Sequence, residues 1–164
     1  MTLTLQTYSD GGARGNPGPA AIGVVLCDAQ GKVLEEASKT IGERTNNQAE
    51  YEALLLALQL ARQRKARRLR CHADSELLIY QLQGVYRIKD AHLKTLAEKV
   101  KSLAARFDSI TFLQIPRSHP MITRADKLLN QTLNKASRLR QGYGGQGAKA
   151  APRKDATPVQ EELF

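Results

Sequence analysis

A chain of 164 residues has room for one domain with a substantial core, and not for two ordinary domains plus a linker. Its 25 Lys and Arg stand against 16 Asp and Glu, and the net charge of +9 points to a polyanionic partner, with general solubility charge as the plainer explanation. Cys27 and Cys71 are isolated in strand-like apolar surroundings, which excludes a disulfide framework or a metal-type cysteine spacing and suits a reducing compartment. The first residues carry no basic leader, and no apolar run reaches the ~18 residues of a membrane span, so the expectation is a cytoplasmic protein with no membrane partner.

Residues 2 to 10 alternate as a strand does, with Leu3 and Leu5 on one face, and run into Asp10-Gly11-Gly12 and the loop Ala13 to Gly18. An acid at a strand end beside two glycines is suited to hold a cation while an anionic ligand approaches the backbone. Ala20 to Cys27 and Lys32 to Ile41 flank the polar turn Asp28-Ala29-Gln30-Gly31, which predicts a three-stranded meander. From Asn46 to about Lys65, Ala49, Ala53, Leu54, Ala57, Leu58 and Ala61 recur at three and four residues, and Leu55, Leu56 and Leu60 widen the stripe into a mostly covered helix. Leu69 to Asp74 reads as a strand leading into a short helix, Ser75 to Leu82, closed by Gly84. Leu93, Leu96, Ala97, Val100, Leu103 and Ala104 mark a further amphipathic helix. Ile110, Phe112 and Ile115 form a last strand, and Ala125, Leu128, Leu129, Leu133 and Ala136 a last helix. This order predicts an α/β layer arrangement with a mixed sheet. From about Gln141 the sequence turns to Gly, Ala, Lys and Pro with little to bury, so a folded domain over 1–140 and a disordered linker over 141–159 are expected.

Four acids stand at the joints of these elements: Asp10, Glu50, Asp74 and Asp126. Each has a bland explanation. Asn47 and Glu50 have capping-box spacing, as do Thr123 and Asp126, and Asp74 stands where a helix cap would. Together they fall at the edge of an open α/β sheet where ligands gather, and four carboxylates crowded there require divalent cations. Helix N-termini supply only about half a charge each. Carboxylate oxygens are the ligands Mg²⁺ prefers, and Mn²⁺ is an acceptable substitute.

Asp10-Gly11-Gly12, Asn16-Pro17-Gly18, Gly23, Thr45-Asn46-Asn47-Gln48-Ala49-Glu50, Ala73-Asp74-Ser75 and Ala125-Asp126 resemble the ribonuclease H type 1 family in type, order and spacing over roughly residues 3 to 137. The resemblance implies a mixed five-stranded sheet in the order 3-2-1-4-5 with strand 2 antiparallel, flanked by helices. It implies an enzyme that hydrolyses the RNA strand of RNA/DNA hybrids, leaving 5′-phosphate and 3′-hydroxyl ends. Two Mg²⁺ ions would be held by Asp10, Glu50, Asp74 and Asp126, and the protein would work as a monomer. It also implies hybrid contacts from Gly11, Gly12, Arg14, Asn16, Arg44, Thr45, Asn46, Asn47, Gln48 and Ser75, with Thr45 near a DNA phosphate. The amides at 46 to 48 suit a ribose 2′-hydroxyl, although an Asn pair also simply starts helices.

Some positions depart from the family pattern. Pro116 stands where bacterial members carry a mobile His; Arg117 and His119 are the auxiliary candidates, with an exposed loop His the simpler account. Ile122 replaces a common Asn. The basic lobe some members insert is missing between Gly84 and the next helix, which leaves affinity to Arg14, Arg44, Arg87, Lys89 and Lys94. The densest basic run, Arg62 to Arg70, lies on the order of 18 Å or more from the acids, and cations also favour a helix C-terminus for its own sake. The end of the chain, Gln160, Leu163 and Phe164, resembles the peptide with which bacterial repair proteins hook the sliding clamp; a chance amphipathic tail is the alternative. Two other functions stay open on sequence: a metal nuclease for double-stranded RNA or DNA, and a hybrid-binding, clamp-tethered adaptor with little activity.

Overall fold

In the computed structural model, which describes residues 3–144, five strands and four helices follow one another in the expected order. β1 (Thr4–Ala13), β2 (Gly18–Asp28) and β3 (Val33–Arg44) form the meander, α1 (Asn46–Gln63) crosses to β4 (Arg68–Ala73), α2 (Glu76–Leu82) and α3 (Ala91–Ala104) precede β5 (Ser109–Gln114), and α4 is Pro120–Gly144. The sheet order is β3-β2-β1-β4-β5. β2 is antiparallel to both neighbours, while β1, β4 and β5 run parallel. This is the mixed sheet expected from the sequence.

The two faces are covered by different helices. Gly11 and Leu5 turn toward α1, whose Leu54, Leu55 and Leu58 are fully buried in the larger core cluster. The alternate residues of β1 turn toward α4, where Tyr8 packs with Val25, Ile122 and Ala125. Burying residues such as these contributes ~1.5–3 kcal/mol each, so the sheet is clamped between α1 and α4. Ile122 is fully buried there, which accounts for an apolar residue at that position.

The boundaries that bear on the site differ from expectation at β1 and α4. β1 does not end at Asp10; it continues to Ala13 because Asp10, Gly11 and Gly12 pair with Gly23, Ile22 and Ala21 of β2. Pairing with β4 stops at Tyr8–His72, so Asp10 lies just past the point where the parallel strands part. α4 starts at Pro120 and runs to Gly144, a few residues beyond the expected end of the domain at 140. The rest of the predicted 141–159 linker and the candidate clamp peptide Gln160, Leu163 and Phe164 lie outside the described residues.

Candidate metal and nucleic-acid site

Two glycines decide where the acids can stand. A Cβ on Gly11 would lie 2.3 Å from the Ala49 backbone, so only glycine lets the first turns of α1 lie against β1. A Cβ on Gly23, the β2 partner of Asp10, would lie 2.3 Å from the Ala125 carbonyl oxygen of α4. Each close approach sets down an acid: Glu50 follows Ala49, and Asp126 follows Ala125. Gly11 therefore uses its missing side chain for helix packing, while it still lines the cleft that holds the acids. Gly12, whose Cβ would meet only Leu129 Cδ1 at 3.6 Å, lines it as well.

Asp10, Glu50 and Asp74 each place a carboxylate oxygen within 4.8 Å of the others. Asp126 lines the same cleft of about 410 Å³. None of the four acts as a helix cap. Thr45 caps α1, its hydroxyl accepting from the Gln48 amide while Gln48 Oε1 accepts from the Thr45 amide. Ser75 caps α2. Asp126 sits well inside α4, where Asn130 Nδ2 donates to its Oδ1 at 3.2 Å and to its backbone oxygen at 2.9 Å. Glu50 Oε1 accepts from the Gly11 amide at 2.9 Å, but its Oε2 is buried with no hydrogen-bond partner.

An orphaned, buried carboxylate oxygen among other carboxylates is costly unless a cation meets it. Burial, followed by the charge of Asp74 and interactions with Asp126, pushes the Asp10 carboxyl up to about 7. Burial, and then the Asp10 charge, holds Glu50 well above the usual carboxylate range. The hard oxygen donors, their convergence and the unpartnered Oε2 fit divalent cations of the Mg²⁺ class.

Residues 8–131 match a family model described as "Reverse transcriptase-like". The chain is 39% identical over 132 residues to Ribonuclease HI of Halobacterium salinarum, an alignment covering 80% of this chain and 65% of that protein. The solved structure of LC11-RNase H1 in complex with an RNA/DNA hybrid, from a compost metagenome, superposes with a TM-score of 0.76 at 42% identity, over 80% of this chain and 98% of that one. The chain belongs to the ribonuclease H type 1 family. It spans only 35% of another relative, the bifunctional protein Rv2228c of Mycobacterium tuberculosis, at 37% identity over 130 residues.

Against the ribonuclease H pattern, the expected hybrid-contacting residues divide into two groups. Gly11, Gly12, Arg14, Asn46 and Ser75 line the cleft with the acids. Arg14 is steadied by Asn134 Oδ1 at 2.6 Å. Asn46 accepts from the Ala13 amide and donates its own amide to Asn16 Oδ1, which ties the glycine loop to the start of α1. Asn47 is exposed beside them. Gln48 turns its amide nitrogen to His92 Nδ1 at 2.9 Å. Arg44 is engaged elsewhere: its Nε is 2.8 Å from Glu52, whose side chain is 1% exposed, so its guanidinium serves a buried ion pair.

The auxiliary candidates also separate. Arg117 lines the cleft. His119 does not: its ring stacks on Tyr8, which stacks in turn on His72, and its Nδ1 accepts from the Met121 amide at the start of α4. Two residues of the site escaped sequence reasoning. Asn130 carried a usable signal, standing four positions after Asp126 on one helix face. His92 carried none, because its contact with Gln48 joins the starts of two separate helices.

Proposed function

We propose that this family member hydrolyses the RNA strand of RNA/DNA hybrids by endonucleolytic attack, with two divalent ions, leaving 5′-phosphate and 3′-hydroxyl ends. The observation that carries the reading is the convergence of Asp10, Glu50 and Asp74, with Asp126 on the same cleft, around an unpartnered Glu50 oxygen. Bound divalent ions supply an activated water and charge neutralisation at the scissile phosphate. Asp10, Glu50, Asp74 and Asp126 hold the ions. Gly11 and Asn130 orient Glu50 and Asp126 through the hydrogen bonds described above. Asn46, Asn47 and the cleft-facing backbone of Gly12 read the ribose 2′-hydroxyl, while Arg14, Arg117 and Ser75 meet flanking phosphates.

The hybrid in the LC11-RNase H1 complex supports this substrate. The reading includes a cytoplasmic monomer. Two free, buried cysteines accord with a reducing compartment, and no described helix is long and apolar enough to cross a membrane. Labelled RNA/DNA hybrid, double-stranded RNA and double-stranded DNA, each incubated with Mg²⁺, Mn²⁺ or EDTA, test it. Metal-dependent cleavage confined to the RNA of the hybrid is expected. Equal cleavage of either homoduplex would replace it with a broader nuclease.

A further inference from the structure

The basic run from Arg62 to Arg70 divides once its side chains are placed. Arg64 pairs with Glu35, and Arg67 lies bidentate on Asp108. Arg68 and Arg70 have no carboxylate within salt-bridge distance among the described residues. Both alternate with the buried Leu69 and Cys71 along β4, which puts them on the face of the sheet turned toward α4. That helix packs over β1, β2 and β3. The β4–β5 part of the face is left open.

The strand register makes this opening a patterned surface. Arg68 lies between Thr4 of β1 and Ser109 of β5, and Arg70 between Gln6 and Thr111. Around the two cations is a depression of about 260 Å³ whose walls include the hydroxyls of Thr4, Ser109 and Thr111 and no acid. Asp108, which precedes Ser109, already accepts from two nitrogens of Arg67. Guanidiniums two residues apart on a strand stand ~6.6 Å from each other and repel, while hydroxyl donors beside them add nothing that offsets the charge. Cations and donors without an acceptor are complementary to phosphate oxygens, and Arg binds these in fork geometry.

We propose that this open sheet face is a second nucleic-acid contact, in which Arg68 and Arg70 hold phosphates of the strand backbone where it continues past the cleft. Arg70 stands beside Gln6, about 13 Å along β1 from Asp10 at ~3.3 Å per residue, and Arg68 about 20 Å, so the contact lies outside the cleavage site. It builds on the reading of the cleft as a hybrid site, and it accounts for part of the +9 net charge that the cleft does not use.

The test is fluorescence anisotropy in EDTA with hybrid and DNA duplexes of about 24 base pairs, over a range of NaCl concentrations, for the full chain and for Arg68→Gln/Arg70→Gln. Each lost phosphate contact removes ~0.9 from the slope of log affinity against log salt, so the double variant should lose about 1.8. The wild-type advantage should then shrink roughly tenfold between ~50 and ~200 mM salt. Arg68→Lys/Arg70→Lys should keep the slope, and the Gln variant should cleave hybrid at an unchanged kcat. An unchanged slope in the Gln variant would overturn the proposal, as would an equal loss in the Lys variant, which would mark a structural role. Because binding is read without metal on both duplexes, a failure of hybrid cleavage would leave this result standing or falling by itself.

Discussion

The Gly11 amide donates to Glu50 Oε1 at 2.9 Å across 39 positions of sequence, and the same glycine is the point where the α1 backbone touches β1. One residue thus sets both the distance of the helix from the sheet and the orientation of a carboxylate. Gly11→Ala must push α1 away from β1, since its Cβ would lie 2.3 Å from Ala49 backbone atoms. Overpacking of this kind costs ~1–3 kcal/mol or more. Denaturant unfolding should show that loss together with a collapse of metal-dependent activity, whereas Gly12→Ala, with 3.6 Å of clearance, should stay within about 0.5 kcal/mol of wild type. Equal stability of the two variants would remove Gly11 from this role.

The raised carboxyls make stability depend on pH and on cations together. Asp10 ionises near 7 in the folded chain and near 3.8 in the unfolded one, so between these values the native state holds a proton the unfolded state has released. Stability without divalent ions therefore falls as pH rises from ~4 to ~7, and Glu50, shifted the same way, adds to the fall. Thermal scans in EDTA should lose a few degrees between pH 5 and 8, and added Mg²⁺ should raise Tm more at pH 8 than at pH 5. A metal-free Tm that is flat or rises across this window would contradict the arrangement.

The buried pair Arg44–Glu52 predicts that Arg44 acts on folding before it acts on nucleic acid. Arg44→Ala strands an interior carboxylate and should cost ~3 kcal/mol, while Glu52→Gln/Arg44→Ala recovers part of the loss. Chemical denaturation of the three proteins measures this. A stable Arg44→Ala variant with a raised KM for hybrid would return the residue to phosphate binding.

His119 and Arg117 separate by function. His119→Ala should reduce stability by ~1 kcal/mol through loss of its contact with the Met121 amide and leave kcat within about threefold of wild type. Arg117→Ala should leave stability unchanged and raise KM for hybrid roughly tenfold, the worth of a charge-assisted phosphate contact. Steady-state kinetics beside thermal melts distinguish the two, and a large kcat loss in His119→Ala would place that ring in the chemistry.

Much of the architecture was legible because periodicity reports burial. The stripe from Ala49 to Ala61 and the heptad-like spacing from Leu93 to Ala104 belong to helices whose apolar faces are covered in the fold. The acids were legible through motif spacing, and Asp10, Glu50 and Asp74 do converge. What was not legible depends on partners distant in sequence or hidden by orientation. The packing role of Gly11 was hidden because nothing local reveals that Ala49 lies over it. Arg44 looked like a surface cation because Glu52, eight positions on, reads as an ordinary helix acid until its burial is seen. The basic run hid its division because Glu35 and Asp108, which neutralise two of its members, lie 29 and 41 positions away.

Single-turnover cleavage of a uniformly labelled RNA/DNA hybrid by wild type and Asp10→Asn in saturating Mg²⁺ probes the convergence of the acids most directly. Removing one charged oxygen from the cluster should cost several kcal/mol of transition-state stabilisation, a fall in rate on the order of 10³-fold, with the fold retained in thermal melts. A folded Asp10→Asn protein that cleaves the RNA strand at a rate within about tenfold of wild type would contradict a metal site built on these carboxylates.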